Sequence, residues 1–265
     1  MPTPDRPPPH AGLLSLAGQS ALVTGASGNI GRGIARRLAE AGADVIVHFH
    51  ADSDGAKRTV AEVRETGRKA YSVQADLASE PAVRDLLAGI AGSGATPGCV
   101  VNNAALQPVR DLAAMTGDDW RQVIAANLDS AFHVTQAVAR QLRAEGRPGA
   151  VVNIASIEGA DPAASHAHYA TSKAGLLMLT RATALEYGRD GIRCNAVSPG
   201  LIDRDGLEAS WPDGVSRWLA RVPLGRMGGA ADVADAVLFL LSPAARWISG
   251  ANLVVDGGMS SVSRW

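Results

Sequence analysis

Tyr169 and Lys173 stand four positions apart in the string His168-Tyr169-Ala170-Thr171-Ser172-Lys173. On a helix that spacing puts both side chains on one face, with Cβ atoms roughly 5–6 Å apart. A free phenol ionises near pH 10, too high for ready proton exchange at neutrality, and a neighbouring ammonium lowers that value by roughly one to three units. The pair therefore suits general acid–base work. Alone it is weak evidence, because many surface helices carry such a pair. Ser156 adds to it: it lies thirteen positions before Tyr169, just past the apolar run Ala150 to Ile154, which reads as a strand. Open α/β sheets bind ligands at the C-terminal ends of their strands, so Ser156 can hold a substrate oxygen beside the phenol. Asn127 falls inside a long helical pattern, where its amide can hold a water or distort the helix.

A second chemical feature is Thr24-Gly25-Ala26-Ser27-Gly28-Asn29-Ile30-Gly31-Arg32-Gly33. It follows an apolar run, Ser20 to Val23, and opens a helical pattern in which Ile30, Ile34, Leu38 and Ala41 share a face. A helix N-terminus offers free N–H groups and positive dipole to a pyrophosphate, and glycines let the backbone approach it closely. Gly25, Ser27, Asn29, Ile30 and Gly31 are thus expected to cradle a dinucleotide. An acid at the end of the next strand would bond a ribose 2′-OH and favour NAD. Phe49 stands there instead, followed by His50, Ala51, Asp52 and Ser53. His50 and Ser53 are suited to a 2′-phosphate. No arginine is near and Asp52 opposes the reading, which nevertheless favours NADP(H) over NAD(H).

The elements that must position these groups alternate along the chain. Strands are expected at Ser20–Val23, Val45–Phe49, Ala70–Gln74, Cys99–Val101, Ala150–Ile154, Ile192–Val197 and Leu253–Val255. Helices are expected at Ile30–Ala41, Ala56–Thr66, Ala82–Ile90, Trp120–Arg143, His168–Tyr187 and Ala230–Leu241. Nearly continuous Val/Ile/Ala strands between helices imply an α/β fold: a single-domain, doubly wound parallel sheet of seven strands with helices on both faces. The stretch from about 203 to 221, with Trp211 and Trp218, interrupts the pattern and reads as an inserted helical lobe.

The 265 residues are 46% hydrophobic, enough for a sizeable core, and the formal net charge of −1 gives no electrostatic case for nucleic acid or an anionic membrane. No apolar run approaches the roughly 20 residues that span a bilayer. Five prolines among the first ten residues suit a disordered tail, placed at 1–13, with no export signal, so a cytoplasmic location is expected. Cys99 and Cys194 read as buried reduced thiols, and the histidines show no metal-ligand spacing.

From about Leu16 to Met259 the chain resembles the short-chain dehydrogenase/reductase family. The matching strings are Thr24 to Gly31, Asp76-Leu77, Asn102-Asn103-Ala104, Asn127, Ser156, Tyr169 to Lys173, Asn195 to Gly200 and Val255-Asp256-Gly257-Gly258. The resemblance implies a doubly wound seven-stranded sheet, usually in a homotetramer or homodimer. It implies Tyr169 as acid or base and Lys173 as the group that lowers the tyrosine pKa and binds the nicotinamide ribose. It implies that Ser156 orients the substrate oxygen and that Asn127 holds a relay water. Asp76 and Leu77 would flank adenine, and Asn103 and Ala104 would line the cofactor near its adenine ribose. Pro199 and Gly200 would pack at the nicotinamide, and Ile202 would bond the carboxamide through its backbone.

Three positions depart from the family pattern. Asn29 replaces a glycine and is expected to take the positive φ that asparagine tolerates best. Ala105 replaces a glycine, and Arg204 stands where a threonine often contacts the cofactor. The substrate candidates are Gln107, Glu158, His166, Trp211 and Trp218, with His168 also in that stretch. The expected activity is that of an NAD(P)(H)-dependent oxidoreductase, a carbonyl reductase or secondary-alcohol dehydrogenase acting on a small molecule. Alternatives are an NAD-dependent sugar or alcohol dehydrogenase, a 3-oxoacyl thioester reductase, and a non-catalytic dinucleotide-sensing regulator.

Overall fold

The computed structural model describes residues 9–262. Its seven strands are β1 (Ser20–Val23), β2 (Asp44–Phe49), β3 (Ala70–Gln74), β4 (Cys99–Asn102), β5 (Gly149–Ile154), β6 (Ile192–Pro199) and β7 (Asn252–Val255). Every pairing is parallel, in the order β3-β2-β1-β4-β5-β6-β7. The helices are α1 (Asn29–Glu40), α2 (Ser53–Glu65), α3 (Glu80–Gly92), α4 (Gly117–Ile124), α5 (Ser130–Ala144), α6 (Ala167–Tyr187), α7 (Leu207–Ser210), α8 (Pro212–Leu219) and α9 (Ala230–Leu241). This is the doubly wound α/β fold that the sequence implies. Its strand order reverses between β1 and β4, which opens a crevice at their C-terminal ends.

Strand periodicity divides the core in two. Ala21 and Val23 of β1 join Ile34 and Leu38 of α1 and Val233 and Val237 of α9 on one face. Leu22, between them, joins Leu87 of α3 and Val134 and Val138 of α5 on the other. Successive strand residues point to opposite faces, and both faces are covered, so an unbroken apolar run serves two cores.

Helix starts follow local chemistry. The Asp52 carboxylate accepts from Gly55 N at 2.8 Å and caps α2. Thr116 and Asp119 form a reciprocal capping box on α4. Such caps are worth about 1 kcal/mol each.

The long helix expected over Trp120–Arg143 is interrupted by one π-helical turn, Ala125–Asp129, between α4 and α5. Asn127 lies at its centre. The proline-rich tail expected at 1–13 lies outside the described residues up to position 8. His10–Gly12 then make a single 3-10 turn, and the Leu13 carbonyl accepts from Ala244 N at 3.0 Å. The lobe at 203–221 contains α7 and α8. Both cysteines are free and buried, and burial pushes their thiols up to about 11 (Cys99) and about 12 (Cys194). Among the described residues no helix is long and apolar enough to cross a membrane, and no metal-binding cluster occurs.

Candidate active site

The turn after β1 is built to hold something at the C-terminal edge of the sheet. Gly25 has φ +61°, and a Cβ there would come within 2.8 Å of the Ala104 backbone after β4. A Cβ on Gly31 would collide with the Gly25 carbonyl and the Asn103 amide. The Thr24 hydroxyl accepts from Asn103 N (2.9 Å) and Ala104 N (3.0 Å), and Asn103 Nδ2 donates to the Thr24 and Gly25 carbonyls. Strand ends β1 and β4 are thereby locked together across the switch point. Helix α1 starts after Gly28 with no side-chain cap, and a Cβ on Gly28 would meet nothing within 4 Å. An uncapped helix N-terminus facing open space fits a pyrophosphate.

Asn29 does not take positive φ as expected. Among the described residues only Ser165 does so without being glycine; Asn29 is the first residue of α1. Gly25 makes the turn instead, which frees the Asn29 amide to donate to the Asp203 carbonyl at 2.6 Å. That bond ties the glycine loop to the lobe. Between them opens a cleft of about 750 Å³ lined by Asn29, Asp203, Arg204, Leu207 and Gly229. Ile202 pairs with Gly228, but both ladder bonds come from its neighbours Leu201 and Asp203, so its own N–H and C=O point away from Gly228. Gly200 lies under the Trp218 ring. At the other end, Phe49 is buried, while His50 is exposed with Nδ1 3.9 Å from Asp76. Ser53 opens α2, and Leu77 is buried beside exposed Asp76.

His48 escaped the sequence reading. It is fully buried in β2, Gly25 N donates to its Nδ1 at 3.2 Å, and its Nε2 lies 3.1 Å from the Ala75 carbonyl. Since Nδ1 accepts, the ring proton sits on Nε2 and bonds Ala75. Burial holds the imidazole down to about 4, hence neutral. One side chain thus pins the glycine loop to the segment before Asp76-Leu77. The available signal was a polar residue inside the apolar run Val45–Phe49.

The catalytic candidates converge at the end of β5. Ser156, in extended conformation, starts a 3-10 turn (Ile157–Gly159) and accepts from Glu158 N at 3.1 Å. Gly159 brings this turn against α6: a Cβ there would come within 3.1 Å of the Lys173 backbone. Tyr169 and Lys173 lie on α6, both buried. Lys173 Nζ donates to the Ile154 carbonyl at 2.8 Å and sits 5.5 Å from the Tyr169 ring centroid. Asn127 Oδ1 accepts from Leu106 N (2.7 Å), while its Nδ2 donates to Leu106 O (2.9 Å) and Ser172 Oγ (3.0 Å). The amide thus stitches the π turn to α6 and to the segment after β4. Such turns often mark functional sites.

The Tyr169 phenol is pushed up to about 12, the opposite of the shift expected from Lys173. Burial is the main cause and the Glu158 charge adds to it, while the hydrogen bond with Ser156 opposes both. The Lys173 ammonium lies by the ring, bonds a carbonyl, and is itself pushed down to about 8 by burial. Desolvation disfavours both charged forms.

Of the substrate candidates, three are brought together. Gln107 Nε2 donates to Glu158 Oε1 at 3.2 Å, and His166 Nδ1 lies 3.0 Å from Glu158 Oε2. The His166 ring meets the Tyr169 ring edge-on with centroids 6.0 Å apart. Trp218 reaches the site through Gly200, whereas Trp211 packs on Gly214 of its own lobe and stays half exposed. His168 is buried with Nδ1 accepting from Tyr169 N, on the helix rather than among the three.

Residues 25–260 match the family model described as Enoyl-(Acyl carrier protein) reductase. The chain is 37% identical over 241 residues to the 3-oxoacyl-[acyl-carrier-protein] reductase of Staphylococcus epidermidis, covering 91% of this chain and 98% of that one. It is 41% identical over 260 residues to the (3R)-3-hydroxyacyl-CoA dehydrogenase of Rattus norvegicus, covering 94% and 99%. Its fold is similar to the crystal structure of a gluconate 5-dehydrogenase from Burkholderia cenocepacia in complex with NADP and tartrate. The TM-score is 0.89 at 32% identity, covering 96% of this chain and all of that one. With this likeness over nearly its whole length, the chain belongs to the short-chain dehydrogenase/reductase family.

Proposed function

We propose that the protein interconverts a carbonyl compound and the corresponding secondary alcohol with a nicotinamide dinucleotide, NADP(H) in preference to NAD(H). The observation that carries this reading is the buried Tyr169 phenol, set between Ser156 and Lys173 on the same sheet edge as the glycine cradle. When bound, the nicotinamide would supply or accept the hydride. Gly25, Ser27, Asn29, Ile30 and Gly31 would hold its pyrophosphate, Asp76 and Leu77 its adenine, and Asn103 and Ala104 its adenine ribose. Tyr169 and Lys173 would hold the nicotinamide ribose, and Pro199, Gly200 and Ile202 the nicotinamide.

Ser156 Oγ orients the substrate oxygen. The phenol gives its proton to that oxygen in reduction and takes one back in oxidation. Its high pKa keeps it protonated near neutrality, the form that donates. Lys173, fixed by the Ile154 carbonyl, stabilises the phenolate left behind. Asn127 holds the segment after β4 against α6 and, with the water it would bind, completes a proton route.

The NADP(H) preference is supported by Phe49, an apolar residue at the strand end. It is supported too by Asp52, whose carboxylate is occupied capping α2 rather than facing a ribose. His50 and Ser53 are left to meet a 2′-phosphate. We also propose a homo-oligomer, dimer or tetramer, supported by exposed Phe132, Met178 and Leu185 on α5 and α6 and by Leu253 and Val254 on the edge strand β7.

Tyr169→Phe should lower kcat by roughly 10²–10⁴-fold with cofactor binding retained. Full activity in that variant would reject the mechanism, and absence of any turnover by the wild type would favour a dinucleotide sensor. In fluorescence titrations NADPH should bind more tightly than NADH; the reverse would reject the cofactor preference.

A further inference from the structure

Glu158 is a carboxylate beside the proton chemistry, and its charge opposes ionisation of Tyr169. Its side chain is only 15% exposed, and two neighbours hold it. Gln107 Nε2 donates to one oxygen and His166 to the other. An ionised carboxylate can only accept, so His166 Nδ1 carries the proton in that bond. The backbone is bent to bring His166 there. Ser165, just before it, has φ +61°, a conformation in which no other described non-glycine residue is found. Its carbonyl is pinned by Arg110 N at 2.9 Å. Strain of this kind persists only where the surroundings enforce it and gathers at ligand sites.

A carboxylate offers about four acceptor positions, and Gln107 and His166 use two. The remaining lone pairs belong to the same short segment as Ser156 and act on the same phenol. They can accept from a donor on the substrate. A purely aliphatic group would offer no donor to these two positions while displacing water from them, an arrangement that discriminates between substrates.

Building on the oxidoreductase reading above, we infer that Glu158, braced by Gln107 and His166, accepts a hydrogen bond from a hydroxyl on the carbon next to the reacting one. It thereby selects vicinal diols, hydroxy-ketones and other polyhydroxylated substrates over plain ketones and unsubstituted acyl chains. Glu158 is a specificity-determining residue here, and the Tyr169 proton transfer does not need it.

The test compares 3-hydroxybutan-2-one with butan-2-one as substrates, following oxidation of the reduced cofactor, in the wild type and in Glu158→Gln. The wild type should prefer the hydroxy-ketone at least tenfold in kcat/KM. Glu158→Gln should lose roughly 10- to 100-fold on the hydroxy-ketone while butan-2-one changes by less than about threefold. A wild type that turns over both ketones alike, or a variant that loses both equally, would overturn the inference and leave the oxidoreductase reading standing. No turnover of either ketone or of their alcohols would overturn both. The wild-type comparison decides the matter even if the variant folds poorly.

Discussion

His48 shows how much a single buried side chain can organise. Its two nitrogens bond the glycine loop and the Ala75 carbonyl, and only the neutral ring can accept from Gly25 N. Its folded pKa of about 4 lies below the ordinary 6.5, chiefly through burial. The neutral form is therefore favoured by folding. The associated stability is fully present above pH 6.5 and is lost as pH falls through about 4. Between pH 7 and 4.5 the wild type should lose about 2–3 kcal/mol more than His48→Asn in urea titrations. Equal losses would mean that other groups dominate the acid limb. Lys173 works in the opposite pH range. Its folded pKa of about 8, down from 10.5, means that burying the ammonium opposes folding below pH 8, and that this opposition fades as pH rises toward 10.5.

At the scale of elements, the site depends on close approaches that glycine alone permits. The start of α1 crosses the loop after β1 at Gly31, and a methyl there would strike the Gly25 carbonyl and the Asn103 amide. Neither is the free end of a flexible chain. Gly31→Ala should lower the thermal midpoint by several degrees and weaken NADPH binding at least tenfold, read by calorimetry and fluorescence titration. Unchanged binding would show that the cradle is not where the pyrophosphate rests. Gly175 plays a similar part, letting Leu128 of the π turn settle on α6. The strands were legible as unbroken apolar runs because both faces of the sheet are buried, and most helices from their helical periodicity. The π turn was legible only in part: Asn127 inside the helical pattern pointed to a distortion there, but nothing in Ala125–Asp129 specifies an i→i+5 turn. It is the bonds from Asn127 to Leu106 and Ser172, in other elements, that accompany it.

For the whole molecule, the exposed apolar side chains carry the prediction. Leu185 is 84% exposed on α6 and Val254 45% exposed on an edge strand. An edge strand left bare presents unpaired backbone groups as well as apolar surface. Light scattering at micromolar concentration should give a mass of two or four chains. A monomer would show that these faces serve something else. Leu185→Glu should shift the assembly toward smaller species if α6 is part of the contact.

The sequence by itself determined the fold class, the glycine cradle and the identities of Ser156, Tyr169 and Lys173. Each rests on local pattern: unbroken apolar runs between helical periods, glycines between a strand and a helix, a serine just past a strand, a four-residue step along one helix face. What only the tertiary structure decided is the environment those groups meet. Burial reversed the expected direction of the Tyr169 shift, since desolvation depends on everything packed around a group and not on its sequence neighbours. The positive φ fell to Gly25 rather than Asn29, because the contact of β1 with β4 determines where the chain must turn. Gln107, Glu158 and His166 became one cluster only when the segments after β4 and β5 were folded side by side.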